Sequence, residues 1–286
     1  MTERGKRMSG FADEASPEID VQISVHAEAG WDSIELRTVN GKNVCEVDDA
    51  TFDGIYRRMM DAGMRASCFG SPIANWARPI TTPFEKDVED LKRAIPRMRL
   101  LQTNMIRVMS YPNAQWPDED WRREVFRRFT ELVKIAEGEA VVMVLENCDG
   151  WASESPQNFK TMLETFNSSA LRVVYDTGNT VSHKGTKEQT WEFYKAALPY
   201  IVHFHIKDCK LVDGLPVHTY PGEGDSDVLA IMKDLHSRNY TGMYSIEPHI
   251  HTQVHLKEST TPAQKQLEMY RTYTRMANTL FDQLLL

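Results

Sequence analysis

Eight times along this chain a short apolar or β-branched run gives way to a longer segment of helical period. The runs occupy residues 8–12, 33–36, 65–69, 105–109, 141–146, 172–176, 201–206 and 243–247. The helical segments cover 19–29, 49–62, 85–101, 118–137, 156–166, 187–197, 227–237 and 262–284. A short run followed by a helix is the pattern of a βα unit, and repeated units build a parallel sheet. No low-complexity tract, polar linker or shift in composition interrupts the series, so residues 1–286 are read as one domain.

Eight parallel strands joined by right-handed crossovers close into an α/β (β/α)8 TIM barrel more readily than they remain an open, doubly wound sheet. Closure also predicts where chemistry collects, because polar residues at the C-terminal ends of barrel strands face the site. Local punctuation agrees. Gly30, Gly63 and Gly138 fall where the first, second and fourth helices need a residue of positive φ to stop. Pro156 suits a first helical turn, where its missing N–H costs nothing. Pro96 lies inside the third helical segment and predicts a bend or a break there.

Composition narrows the class of partner. A formal net charge of −8 supplies no basic footprint for nucleic acid or an anionic membrane. No eighteen apolar residues run together, and the opening MTERGKRMSGFADE lacks the apolar stretch of a signal peptide, so a cytoplasmic protein is expected. Cys45, Cys68, Cys148 and Cys209 form no C-x-x-C pair and are expected as reduced, mostly buried thiols. The lack of a G-x-G-x-x-G or P-loop motif argues against nucleotide cofactors.

The fifth to eighth strands all end on side chains able to hold a metal. They read Leu145-Glu146-Asn147, Tyr175-Asp176-Thr177-Gly178-Asn179, His203-Phe204-His205-Ile206-Lys207-Asp208 and Ile246-Glu247-Pro248-His249. Carboxylates converging on one rim repel one another unless a cation lies between them. Three carboxylates and one imidazole make a mostly hard site for one divalent ion, Mn²⁺ first, with Mg²⁺, Co²⁺ or Zn²⁺ as alternatives. His203 and His205 share a strand face, so either could supply the imidazole.

Around this quartet lie further candidates. Asn179 can hydrogen-bond a substrate hydroxyl or a metal-bound water but cannot trade protons. His249 is near enough to Glu247 for acid–base work near neutral pH, or it ties down the last loop; His183, after Asn179, is a weaker candidate. Lys207 either steadies negative charge developing on a substrate or faces solvent, and Asp208 braces the turn or Lys207. Glu35 and Arg37 share a face of the second strand and would form an ion pair inside a barrel. Arg107 could read a phosphate or a hydroxyl. Trp76, in the loop after the third strand, and Trp151 offer aromatic faces to a sugar ring. Asn179, His249, Lys207, Arg107, Trp76 and Glu35 are the expected substrate contacts.

These motifs, from Gly10-Phe-Ala-Asp-Glu14 through Gly222-Glu-Gly224 to Ser245-Ile-Glu247-Pro-His249, resemble the xylose isomerase-like barrel superfamily of sugar isomerases, epimerases, dehydratases and lyases. The resemblance implies that Glu146, Asp176, His205 and Glu247 bind the metal, with His203 one layer deeper. It further implies that Glu146 and Glu247 double as acid and base. Asn179 and Cys148 stand where many relatives carry histidine, which limits the site to one metal. The expected activity is a divalent-metal-dependent isomerase or epimerase that abstracts a proton from a ketose or keto-sugar through an enediolate. Elimination of water or aglycone from a keto-sugar or 3-keto-glycoside is the runner-up. A non-catalytic sugar-binding barrel and an apurinic-site nuclease are outliers, and Asn179, Cys148 and the acidic balance oppose the nuclease. The expected partner is a small sugar, and the resemblance extends to a homodimer built through helices.

Overall fold

The computed structural model describes residues 2–250 and 262–286. Each barrel strand is followed by one main helix. In the first half these are β1 (Met8–Gly10), α1 (Ile19–Glu28), β2 (Ser33–Leu36), α2 (Asp49–Asp61), β3 (Arg65–Gly70), α3 (Phe84–Leu100), β4 (Met105–Ser110) and α4 (Asp118–Gly138). The second half contains β5 (Val142–Gly150), α5 (Pro156–Phe166), β6 (Leu171–Asp176), α6 (Lys187–Ala197), β7 (Ile201–Ile206), α7 (Val228–Ser237), β8 (Tyr244–Ile246) and α8 (Ala263–Asp282).

The strands form one parallel sheet in the order β1-β8-β7-β6-β5-β4-β3-β2. β1 and β2 touch without a ladder between them, leaving one seam in a nearly closed α/β barrel. Two small hairpins, Thr38–Val39 with Lys42–Asn43 and Asp208–Val212 with Leu215–Thr219, ride on the connections after β2 and β7. Among the described residues no helix is long and apolar enough to cross a membrane.

Alternation along each strand sorts the side chains. Leu145, Val173, Tyr175, Phe204 and Ile206 join the large apolar layer shared with the helices. The intervening positions point inward. There Cys68, Val144 and Val174 form a small separate apolar cluster, and Glu146, Asp176, His203 and His205 follow at 0% exposure. The cysteines are all free, three buried and Cys148 half-buried.

Helix punctuation mostly follows these expectations. Gly30 and Gly63 have φ of +80° and +67°, and Pro156 opens α5 behind a Ser155 cap. One expectation fails. Gly138 still belongs to α4, and Ala140 takes the left-handed conformation instead, at φ +54°. Pro96 does not split its helix, because α3 runs from Phe84 to Leu100 as one element. Buried Leu91, Ala94, Ile95 and Met98 pin it on both sides of the proline, and packing outweighs one missing hydrogen bond.

The last helix is tied to the first by a buried histidine. His26 on α1 places Nδ1 2.6 Å from the Ser33 carbonyl and Nε2 2.8 Å from the Tyr270 hydroxyl on α8. Burial, partly offset by the Ser33 carbonyl, holds its pKa down from 6.5 to about 4. Between those values the unfolded chain binds a proton that the folded one refuses, so stability falls as pH falls. This group should remove up to about 3 kcal/mol between pH 7 and 4. Urea midpoints across that window should fall less steeply for His26→Gln than for the parent protein, and parallel curves would refute the assignment.

Candidate metal centre

Strand geometry delivers the four sequence-predicted ligands to one place. Glu146, Asp176, His205 and Glu247, all buried, bring one donor atom each within 4.8 Å of one another. Glu146 comes from within β5, Asp176 ends β6, His205 is the fifth residue of β7, and Glu247 follows β8 directly. All lie at the C-terminal side of the barrel, as the fold requires of a site.

Asp176 and His205 each have one side-chain atom fixed and another directed into the cluster. Asp176 Oδ1 accepts the backbone N–H groups of Gly178 and Asn179 at 2.8 and 2.7 Å. Its Oδ2 faces the Lys207 ammonium at 3.0 Å, and His205 Nδ1 has no hydrogen-bond partner among the described residues. His205 Nδ1 lies 3.5 Å from Glu247, 3.8 Å from Asp176 and 3.9 Å from Glu146. A partnerless buried imidazole nitrogen set among three carboxylates fits a divalent cation.

Among the described residues, Lys207, Arg107 and Arg37 hem the cluster with positive charge. Lys207 Nζ lies 2.7 Å from Glu247 and 3.0 Å from Asp176. Arg107 on β4 donates to Glu146 at 3.2 Å and to the Ser71 carbonyl at 3.1 Å. Arg37 donates to Asp13, Glu14 and Glu247. The electrostatic consequences are strong. Burial alone would lower the Lys207 pKa, but Asp176, Glu247 and Glu146 raise it well above the usual lysine range. Burial pushes Asp176 up to about 7, with Glu247 and Glu146 adding to the rise against Lys207's opposing pull. Burial would also raise Glu247, yet Lys207, His249 and His205 hold it well below the carboxylate range.

The other predicted contacts divide. Asn179 donates to Glu146 Oε1 at 2.8 Å. His249 stands between Glu14, 3.0 Å from its Nδ1, and Glu247, 3.5 Å from its Nε2. Trp76 is 54% exposed on the β3–α3 connection, on the same side of the barrel as the cluster. Lys207 is buried, so the solvent-facing alternative is excluded. Glu35 and Arg37 both turn inward without pairing to each other: Glu35 engages His203 and His205, and Arg37 engages Asp13, Glu14 and Glu247. Trp151 packs edge-on against Phe126 between α4 and α5, a helix-packing role. His183 follows the short helix Asn179–Ser182, its N–H bonded to the Asn179 carbonyl.

Asp208 braces the next loop rather than Lys207. Its carboxylate accepts N–H groups from Cys209, Gly222, Gly224 and Ser226. A Cβ on Gly224 would lie 2.3 Å from Asp208 Oδ1, and one on Gly178 would lie 2.6 Å from the Lys207 side chain. Both glycines permit close approach. Sequence reasoning missed Asp13, Glu14 and the reach of Arg37 to Glu247. The signal was the acidic pair closing Gly10-Phe-Ala-Asp-Glu14, immediately beyond β1 on the side of the site.

The barrel and its cluster define a class: a (β/α)8 protein with a three-carboxylate, one-histidine candidate metal centre at the C-terminal ends of its strands. The family model described as xylose isomerase-like TIM barrel matches residues 23–273, and the chain belongs to this family. An inosose dehydratase of Serratia proteamaculans is 26% identical over 145 residues, 46% of this chain and 48% of that protein. One from Yersinia enterocolitica is 25% identical with the same coverage, so the chain spans about half the length of the curated relatives it matches. Among solved structures, a xylose isomerase-like TIM barrel protein from Mycobacterium smegmatis in complex with magnesium superposes with a TM-score of 0.71. It shares 16% identity, covering 98% of this chain and 99% of the other. At that distance it shows the fold alone.

If these side chains hold the ion, Mn²⁺ at about 100 times its Kd should stabilise the fold by about 2.7 kcal/mol. Differential scanning fluorimetry should show a raised melting temperature that EDTA reverses. Asp176→Asn should lose most of the shift; an undiminished shift would remove Asp176 from the ligand set.

Proposed function

We propose that the protein is a divalent-metal-dependent isomerase or epimerase acting on a ketose or keto-sugar. The observation that carries this reading is the placement of Glu146 and Glu247. They share one buried cluster but approach it from β5 and the end of β8, with β6 and β7 between them. A divalent cation held there would polarise a substrate carbonyl and acidify the adjoining C–H.

The remaining work falls to the chain. One glutamate removes the proton beside the carbonyl, and the other returns a proton from the opposite side, inverting the centre. Both carboxylates are held in place for these transfers. Asn179 and Arg107 bind the two oxygens of Glu146, while Arg37 and Lys207 bind those of Glu247. Lys207 and Arg107 also place fixed positive charge where negative charge would grow on the substrate oxygens. Burial of the cluster keeps bulk water from competing.

Lys207 also favours a second reading, dehydration. A buried ammonium 2.7 Å from Glu247 can give a proton to a hydroxyl leaving the β carbon. With the α proton taken by a glutamate, its electron pair forms the C=C bond as the C–O bond breaks with its pair on oxygen, and water departs. The inosose dehydratase relatives lend support to this outcome.

The test incubates Mn²⁺-loaded protein with ketoses, inositol ketones and 3-keto-glucosides in heavy water, followed by NMR. Deuterium incorporation with inversion is expected. Loss of water or aglycone would move the assignment to the lyase reading, and absence of exchange with a compound that binds would defeat the enzyme reading. Glu247→Gln should slow exchange by about 10²–10⁴-fold.

A further inference from the structure

Glu35 takes no part in those proton transfers, and its surroundings give it a different role. It lies on β2 at 0% exposure, with its carboxylate between two imidazoles. His203 Nε2 is 2.7 Å from Oε2, and His205 Nε2 is 3.1 and 3.2 Å from Oε1 and Oε2. An ionised carboxylate only accepts hydrogen bonds, so both Nε2 atoms carry the hydrogen. The other nitrogen of a neutral imidazole then keeps its lone pair. For His205 that atom is Nδ1, the one facing Glu146, Asp176 and Glu247.

The backbone is shaped to bring these groups together. The β2–β3 register shifts between Ile34 and Glu35, and the β6–β7 register shifts just before the Val174–His203 pair. Such irregularities re-aim side chains beside sites. Phe11 packs edge-on against the His205 ring at 5.2 Å, which leaves the ring little room to turn. A carboxylate this deep in a barrel is costly unless its oxygens are hydrogen-bonded, and the two imidazole N–H groups donate to them.

We infer that Glu35, backed by His203, is the positioning residue that makes His205 a metal ligand through Nδ1. The assignment concerns the metal centre and stands whichever reaction follows. Partners of this kind fix the tautomer and raise the basicity of a ligating histidine, and losing one weakens metal binding about 10–100-fold.

Glu35→Gln tests it. The amide oxygen can accept from one imidazole, but the NH₂ group needs an acceptor and so turns the other imidazole's tautomer. Mn²⁺ affinity, measured by electron paramagnetic resonance of the free ion, should weaken about 10–100-fold. The circular dichroism and melting temperature of the metal-free variant should stay near those of the parent. An unchanged Mn²⁺ affinity in the folded variant would overturn the inference. Should the variant fail to fold, the parent protein labelled with ¹⁵N-histidine and loaded with Zn²⁺ decides the matter. His205 should then show a protonated Nε2 and a metal-shifted Nδ1, whereas a proton on Nδ1 or metal on Nε2 would overturn it.

Discussion

Mutual repulsion among buried carboxylates is the constraint on which the rest of this structure depends. Glu14, Glu35, Glu146, Asp176 and Glu247 all sit in or beside the barrel mouth at 4% exposure or less. Left uncompensated, such charges would take up protons or open the fold. The chain answers with groups drawn from many different elements: Arg37 after β2, Arg107 from β4, two histidines from β7 and Lys207 just beyond it. The compensation is distributed so that each carboxylate keeps a defined direction. Glu35 points at imidazoles, Asp176 keeps one oxygen on backbone N–H groups, and Glu146 and Glu247 are gripped on both oxygens.

Much of this was legible before the structure. The eightfold alternation specified the barrel because strand and helix periods differ, and the strand-end motifs marked one rim because the fold puts strand C-termini together. What the sequence could not reveal was the pairing of charges across the barrel. Glu35 and Arg37 are two residues apart and share a face, which suggested a mutual ion pair. Instead each found partners far along the chain, at 203, 205 and 247. A periodicity of two says which side of a strand a residue faces but not which of seven other strands it meets. The same limit hid the burial of Lys207, whose position beyond a strand end is equally compatible with solvent. It hid the helical stop too, where exposed Ala140 rather than a glycine takes the left-handed conformation.

The glycines of the site motifs gain a physical meaning. Gly178 and Gly224 are where a lysine side chain and a carboxylate come against backbone, and the spacing of the motifs follows from that contact. Asp208, four times an acceptor of backbone N–H, holds a loop to the end of β7, so the strand carrying His205 also anchors the wall beside it.

The seam between β1 and β2 has a consequence of its own. Where a ladder would join the two strands, the connection at the mouth is made by side chains: Arg37 and Thr38, past β2, both grip Asp13, past β1, and Arg37 adds Glu14 and Glu247. The ring is therefore fastened at its weakest joint by the same guanidinium that steadies a candidate catalytic carboxylate. Architecture and chemistry share one rivet here, and any lineage that remodels Arg37 to suit a new substrate must find another way to keep the cylinder shut.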